Sequence, residues 1–303
     1  MINQLIARML PYFPEKIVWI FSKRYISGQY IDDALLESRK LNHKGMVVTV
    51  DLLGEYIKNL GEADQYKAQY VDLIKRFSSE KINGNFSVKP SMFGLLLDQE
   101  ACYFNLRTLV EVADQCNSFI KIDMEDSECT SIELEIFRRL KAEFPARVGI
   151  VVQAYLRRTL DDVKNLMDLH QPDAPLNFRL CKGIYIEPEN IAYKGYQEVR
   201  DHFMADLRFM LENGIYAGIA THDKYLIDKS LELIQELNVS HDKYEFQMLF
   251  GVAPKLRQSV VELGHKMRVY VPFGKQWFNY STRRLKENPN MVWDILKAMF
   301  VRR

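Results

Sequence analysis

Runs of four to six mostly apolar residues alternate along this chain with longer stretches whose apolar residues return every three or four positions. The first pattern marks buried strands and the second amphipathic helices. Strand-like runs fall at 46–50, 86–89, 119–123, 149–153, 178–182, 216–221, 245–249 and 267–271. Their starts lie 22 to 40 residues apart, and a strand with its return helix needs roughly 30. The spacing predicts eight successive βα units. Thr130 with Glu133 reads as a capping box opening the helix that carries Leu134, Phe137 and Leu140. Tyr196, Val199, Phe203, Leu207 and Met210 form one helical stripe, which Gly214 ends. Residues 1–44 read as an amphipathic helical segment packed outside a barrel formed by 45–303. No linker rich in Gly, Pro or Ser divides the two, so one domain is expected.

Polar side chains stand at or just past most strand ends: Asp51, Lys89, Asp123, Gln153, Lys182 and His222, with Tyr270 near the last. In a (β/α)8 barrel these ends converge on one mouth. An open doubly wound sheet also binds ligands beyond its strand ends, but eight consecutive units without a dinucleotide fingerprint favour closure. The expected fold is α/β, a distorted (β/α)8 TIM-like barrel with extra N-terminal helices.

Charge and composition narrow the chemistry. The 303 residues carry 41 basic and 40 acidic side chains, a balance that offers no global field to attract nucleic acid. Four cysteines without a C-x-x-C pair point to a reducing, cytoplasmic setting. The apolar stretch at 17–21 is too short for a signal or a membrane span, which leaves peripheral contact with the inner face of a membrane open. No histidine pair has metal-ligand spacing, and no phosphate loop or nucleophile elbow occurs, so no metal is expected.

Taken singly, the strand-end residues have ordinary explanations. Lys89 suits a solvated loop, Asp123 a cap, and His222 a satisfied core histidine. Gathered at one mouth, Lys89, Arg179, Lys182, Arg283 and Arg284 outnumber Asp51, Asp123 and Glu287. A mouth with that excess would hold a carboxylate or phosphate through charge-assisted bonds of about 1.5–3 kcal/mol each.

The local words are more specific. Ser87-Val88-Lys89-Pro90-Ser91, Ile122-Asp123-Met124-Glu125-Asp126, Gln153-Ala154-Tyr155-Leu156 and Arg179-Leu180-Cys181-Lys182-Gly183 resemble proline dehydrogenases. So do Ala220-Thr221-His222-Asp223, Phe246-Gln247-Met248-Leu249 and Tyr270-Val271-Pro272-Phe273-Gly274, which runs on to Tyr280, Arg283, Arg284 and Glu287. The resemblance covers roughly residues 25–290 and implies a monofunctional flavoenzyme. Such an enzyme uses FAD to oxidise L-proline to Δ1-pyrroline-5-carboxylate, the first step of proline catabolism, by hydride transfer from proline C5 to flavin N5. It then passes the electrons to a membrane quinone.

By the same resemblance, Arg283 and Arg284 hold the substrate carboxylate with Lys89, which Asp123 organises through an ion pair. Tyr270 and Leu249 wall the ring, and Tyr185 stands close by. Arg179 approaches the reactive flavin nitrogen. Gln153, Lys182 and Gly183 meet the polar edges of the cofactor, Thr221 and His222 its phosphate or adenine half, and Glu287 its ribityl chain. Ile184 departs from a frequent Ala, and Asp223 from an Asn found in some members. A separate pyrroline-5-carboxylate dehydrogenase would take the product, since this length leaves no room for a second catalytic domain. Two rivals compete with this reading. One is a Schiff-base lyase using Lys89 or Lys182. The other is a non-enzymatic, membrane-associated binding protein that uses the apolar tail at 291–300.

Overall fold

The computed structural model describes residues 18, 19, 22–278, 280 and 281. The chain enters through helix α1 (Ile31–Asn42). It then alternates β1 (Val47–Leu52), α2 (Leu60–Ser79), β2 (Gly84–Val88), α3 (Gln99–Gln115), β3 (Ile120–Ile122) and α4 (Ser127–Glu143). The second half runs β4 (Val148–Gln153), α5 (Thr159–Asn165), β5 (Asn177–Cys181), α6 (Tyr196–Glu212), β6 (Tyr216–Ala220), α7 (Lys224–Glu236), β7 (Tyr244–Leu249), α8 (Pro254–Glu262) and β8 (Met267–Phe273). Every strand is parallel to its neighbours, and β8 pairs with β1 from Val47↔Arg268 to Leu52↔Phe273. The sheet is a closed eight-stranded barrel.

Alternation along each strand divides the side chains between two faces. Val48, Val50, Phe86, Val88, Ile120 and Ile122 are fully buried and belong to the apolar core between sheet and helices. The intervening positions point into the barrel and are largely polar. Lys121 of β3 reaches across to Asn177 of β5, and Arg268 of β8 to Glu245 of β7. A barrel lumen is more commonly filled by branched apolar residues. Here the apolar core lies almost wholly outside the sheet, and the lumen is a stack of polar contacts.

Two local expectations met different outcomes. The capping box at Thr130 and Glu133 does not open α4. The helix starts one turn earlier, at Ser127, where the Asp126 side chain accepts from the Cys129 amide. Aspartate caps at least as well as threonine, so the helix begins as soon as the loop allows. Thr130 Oγ1 then donates back to the Asp126 carbonyl, and Glu133 accepts from the Glu125 amide at 3.1 Å. Gly214, two residues past α6, does adopt the left-handed conformation expected of a helix stop, with φ of 70°.

A small second core sits beside the barrel, where Val18 and Ile26 pack with Leu53, Trp277 and Tyr280. Trp19 and Trp277 lie 4.7 Å apart by ring centroid. The segment before α1 is thereby fastened to the loop after β1 and to the segment after β8.

Candidate active site

The carboxyl ends of the strands surround a cavity of about 470 Å³. Lys89, just past β2, lines it. The Lys89 Nζ donates to both oxygens of Asp51 at 2.9 Å and to Asp123 Oδ2 at 3.1 Å. Asp123, just past β3, also receives Arg179 Nη1 at 2.8 Å, the Tyr270 hydroxyl at 2.9 Å and the Ser87 hydroxyl. The Arg179 guanidinium rests 5.0 Å from the Tyr270 ring centroid. These residues come from β1, β2, β3, β5 and β8, and barrel closure alone brings them together.

Burial sets the electrostatics of the cluster. Desolvation pushes the Asp51 carboxyl up to about 6, against the pull of Lys89, and the neighbouring Asp123 charge adds to the rise. The same burial would raise Asp123, but Lys89 and Arg179 more than offset it and hold its carboxyl below the ordinary range. Burial alone would depress Lys89. Asp51, Tyr270 and Asp123 overcome that and keep the ammonium charged well past its usual range. The Tyr270 hydroxyl is pushed up by burial and by the Asp123 and Asp51 charges, so it remains a donor.

The other side of the cavity is lined by Gln153, Lys182, Gly183, Thr221, His222 and Leu249. The Gln153 amide is anchored by donating to the Glu125 carbonyl at 2.8 Å. His222 Nε2 accepts the Leu249 amide at 2.9 Å, and burial with Lys182 nearby lowers its pKa to about 4, so the ring is neutral. Lys182 lies 3.3 Å from Asp223, whose carboxylate also takes Tyr196 and Arg200. Gly183 has φ of 102°, and a Cβ there would sit 2.0 Å from the Tyr155 ring, so no larger residue fits. Tyr185 and Ile184 complete the rim.

The expected positive excess needs correction. Within the described residues Lys89 is matched by Asp51 and Asp123, Arg179 by Asp123, and Lys182 by Asp223. Buried cations attract carboxylates from neighbouring strands because an unpaired charge there is costly. Any surplus rests on Arg283 and Arg284, which lie outside the described residues together with Glu287 and the tail at 291–300. Sequence reasoning also passed over Ser87 and Gln247, both of which contact Arg179. Each sits two residues before a chosen one, Lys89 or Leu249, and so shares its inward face. Strand parity could have found them. Nothing in the local sequence marks Glu55, on the loop after β1, which also lines the cavity.

Among the described residues no helix is long and apolar enough to cross a membrane, and no group of His, Cys, Asp or Glu side chains could hold a metal.

The family model described as proline dehydrogenase matches residues 34–293. Proline dehydrogenase 1 of Bacillus subtilis is 34% identical over 278 residues, covering 92% of this chain and 90% of that one. The proline dehydrogenase of Deinococcus radiodurans is 32% identical over 286 residues, covering 93% and 91%. Among solved structures, proline utilization A from Bdellovibrio bacteriovorus, inactivated by N-propargylglycine, superposes with a TM-score of 0.84 at 28% identity. That match covers 91% of this chain, which spans 33% of the longer protein.

Proposed function

The chain belongs to the proline dehydrogenase family, and from that footing we propose that it oxidises L-proline to Δ1-pyrroline-5-carboxylate with FAD and delivers the electrons to a quinone. It is an oxidoreductase acting on proline, at the first step of proline catabolism.

The residues fit a flavin. Arg179 Nη2 is buried and has no hydrogen-bond partner among the described residues. A donor left so costs on the order of 1–3 kcal/mol unless a ligand accepts from it. This single atom carries the cofactor reading. Around the same cavity, the Gln153 amide, the Lys182 ammonium and the Thr221 hydroxyl offer groups suited to the carbonyl and phosphate oxygens of a flavin dinucleotide. When bound, the flavin supplies a two-electron acceptor that no amino-acid side chain provides.

The chain's own residues do the positioning. Lys89, kept cationic by Asp51 and Asp123, meets the substrate carboxylate, and we assign Arg283 and Arg284 to the same group by their match to the family words. The Tyr270 ring and the Leu249 side chain give the pyrrolidine methylenes an apolar wall, with Tyr185 beside them. Because the Tyr270 hydroxyl is tied to Asp123, the ring cannot swing, and the substrate is presented in one orientation. Thr221, His222 and Gly183 line the remainder of the cofactor channel, and Glu287 joins it by the same match. The quinone acceptor implies contact with a membrane surface, made peripherally.

A Schiff-base lyase working through Lys89 is disfavoured, because an ammonium held between two carboxylates is no nucleophile. The purified protein should be yellow, or become so with FAD, and anaerobic L-proline should bleach its visible absorbance. Protein that stays colourless in excess FAD overturns the cofactor. A bound flavin bleached by another cyclic or secondary amine but not by proline overturns the substrate.

A further inference from the structure

Resting on the flavin reading above, we propose that Gln247 is a positioning residue that aims the Arg179 guanidinium by tying it to an ion pair deeper in the barrel. Arg179 Nε donates to Gln247 Oε1 at 2.7 Å, and Gln247 Nε2 donates to Glu245 Oε1 at 2.7 Å. Glu245 is fixed in turn by both edges of Arg268, with Nη2 to Oε2 at 3.0 Å, and by the Tyr216 hydroxyl at 2.9 Å. Arg268 Nη1 closes the set on the β1 backbone, at the Val48 carbonyl 2.7 Å away. Arg179, Gln247, Glu245 and Arg268 are all buried. A line of directed bonds therefore runs up the barrel axis, from the ion pair to the floor of the cavity.

The residue type follows from the task. An amide offers an acceptor at one atom and donors at the other, so it can join a guanidinium N–H to a carboxylate without adding charge. Glutamate at 247 would stand beside the Glu245 carboxylate, and a lysine would repel Arg179. The barrel has made room for the amide: a Cβ on Gly218 would come within 2.4 Å of Gln247 Nε2. A guanidinium is planar, and this one is held at Nε by Gln247 and at Nη1 by Asp123. Two fixed edges of a rigid plane determine where the third, Nη2, must point. Nη2 is the buried donor without a partner among the described residues. The positive charge it carries favours electron density arriving on a flavin beside it.

The test compares Gln247→Met, which keeps length and volume but loses the amide, with Gly218→Ala, which removes no polar group and crowds the amide instead. Both are made in the wild-type and Arg179→Met backgrounds. In the wild-type background, Gln247→Met should slow anaerobic flavin reduction by proline about tenfold with KM little changed. It should also lower the flavin midpoint potential by about 30 mV, the two-electron equivalent of a tenfold change. Gly218→Ala should act in the same direction and more weakly. In the Arg179→Met background neither variant should add to the loss. Equal effects in both backgrounds, or an unchanged potential, overturn the proposal.

A second readout needs no cofactor. The ¹⁵N-detected Arg179 Nε–H should be protected from exchange in the wild-type protein, lose that protection in Gln247→Met and keep it in a surface control. Unaltered protection overturns the clamp even if the protein binds no flavin, and a colourless wild-type protein counts against the function reading alone.

Discussion

Lys89, in the wall of the cavity, is the residue that joins two buried carboxylates. Without it, Asp51 would lose its paired cation and face Asp123, a second buried carboxylate, which would keep only Arg179. Breaking a buried pair from one side costs about 3–5 kcal/mol. Lys89→Met should therefore lose stability of that order in urea unfolding at pH 7, and flavin reduction by proline should become undetectable. A variant no less stable than wild type would mean that the cluster is solvated. This residue was legible in the sequence because it follows an apolar run inside a family word. Its partner Asp51 was noted only as a strand-end acid. Nothing local could have shown that β1 and β3 bring their carboxylates onto the same ammonium, since the 34-residue and 38-residue separations close only in the barrel.

At the scale of elements, strand and helix existence was legible and their exact joins were not. Periodicity locates β7 and α4, but a cap depends on which side chain first meets a free amide, and two acceptors competed at the head of α4. Asp126→Ala should cost about 1 kcal/mol in urea unfolding, as the loss of a side-chain cap does, while Thr130→Val should cost measurably less. The reverse order would restore the capping box.

The loop between β3 and α4 also holds Glu125, whose carboxylate takes the Ser91 amide and hydroxyl. Burial is the main cause that pushes its carboxyl up to about 7 from a usual 4.5. A folded value above the unfolded one favours the fold while the group is protonated. That contribution is complete below about pH 4.5 and disappears as pH rises through 7. Glu125→Gln can keep both bonds to Ser91 and needs no proton. Its stability relative to wild type should rise between pH 5 and 8, by an amount on the order of 3 kcal/mol or less. A pH-independent difference would show that Glu125 is solvated.

For the whole molecule, what escaped the sequence was the character of the lumen. An isolated Lys121, Glu245 or Arg268 inside a strand reads as an interruption of an apolar run, and only the assembled sheet supplies each with its partner. A buried pair of this kind fixes geometry more than it stabilises. Glu245→Leu alone should be strongly destabilising, by about 3–5 kcal/mol, because it strands the Arg268 cation. Glu245→Leu combined with Arg268→Met should recover most of that loss in thermal and urea unfolding. A double variant as unstable as the single one would show that the pair contributes net stability.

The lacing of β1 to β8 bears on how the protein is made. That single seam joins residues more than two hundred positions apart, so during synthesis β1 waits with one open hydrogen-bonding flank until β8 has left the ribosome. Nascent chains stalled before residue 267 should accordingly be bound by chaperones or aggregate, and release past 273 should render them protease-resistant in a single step.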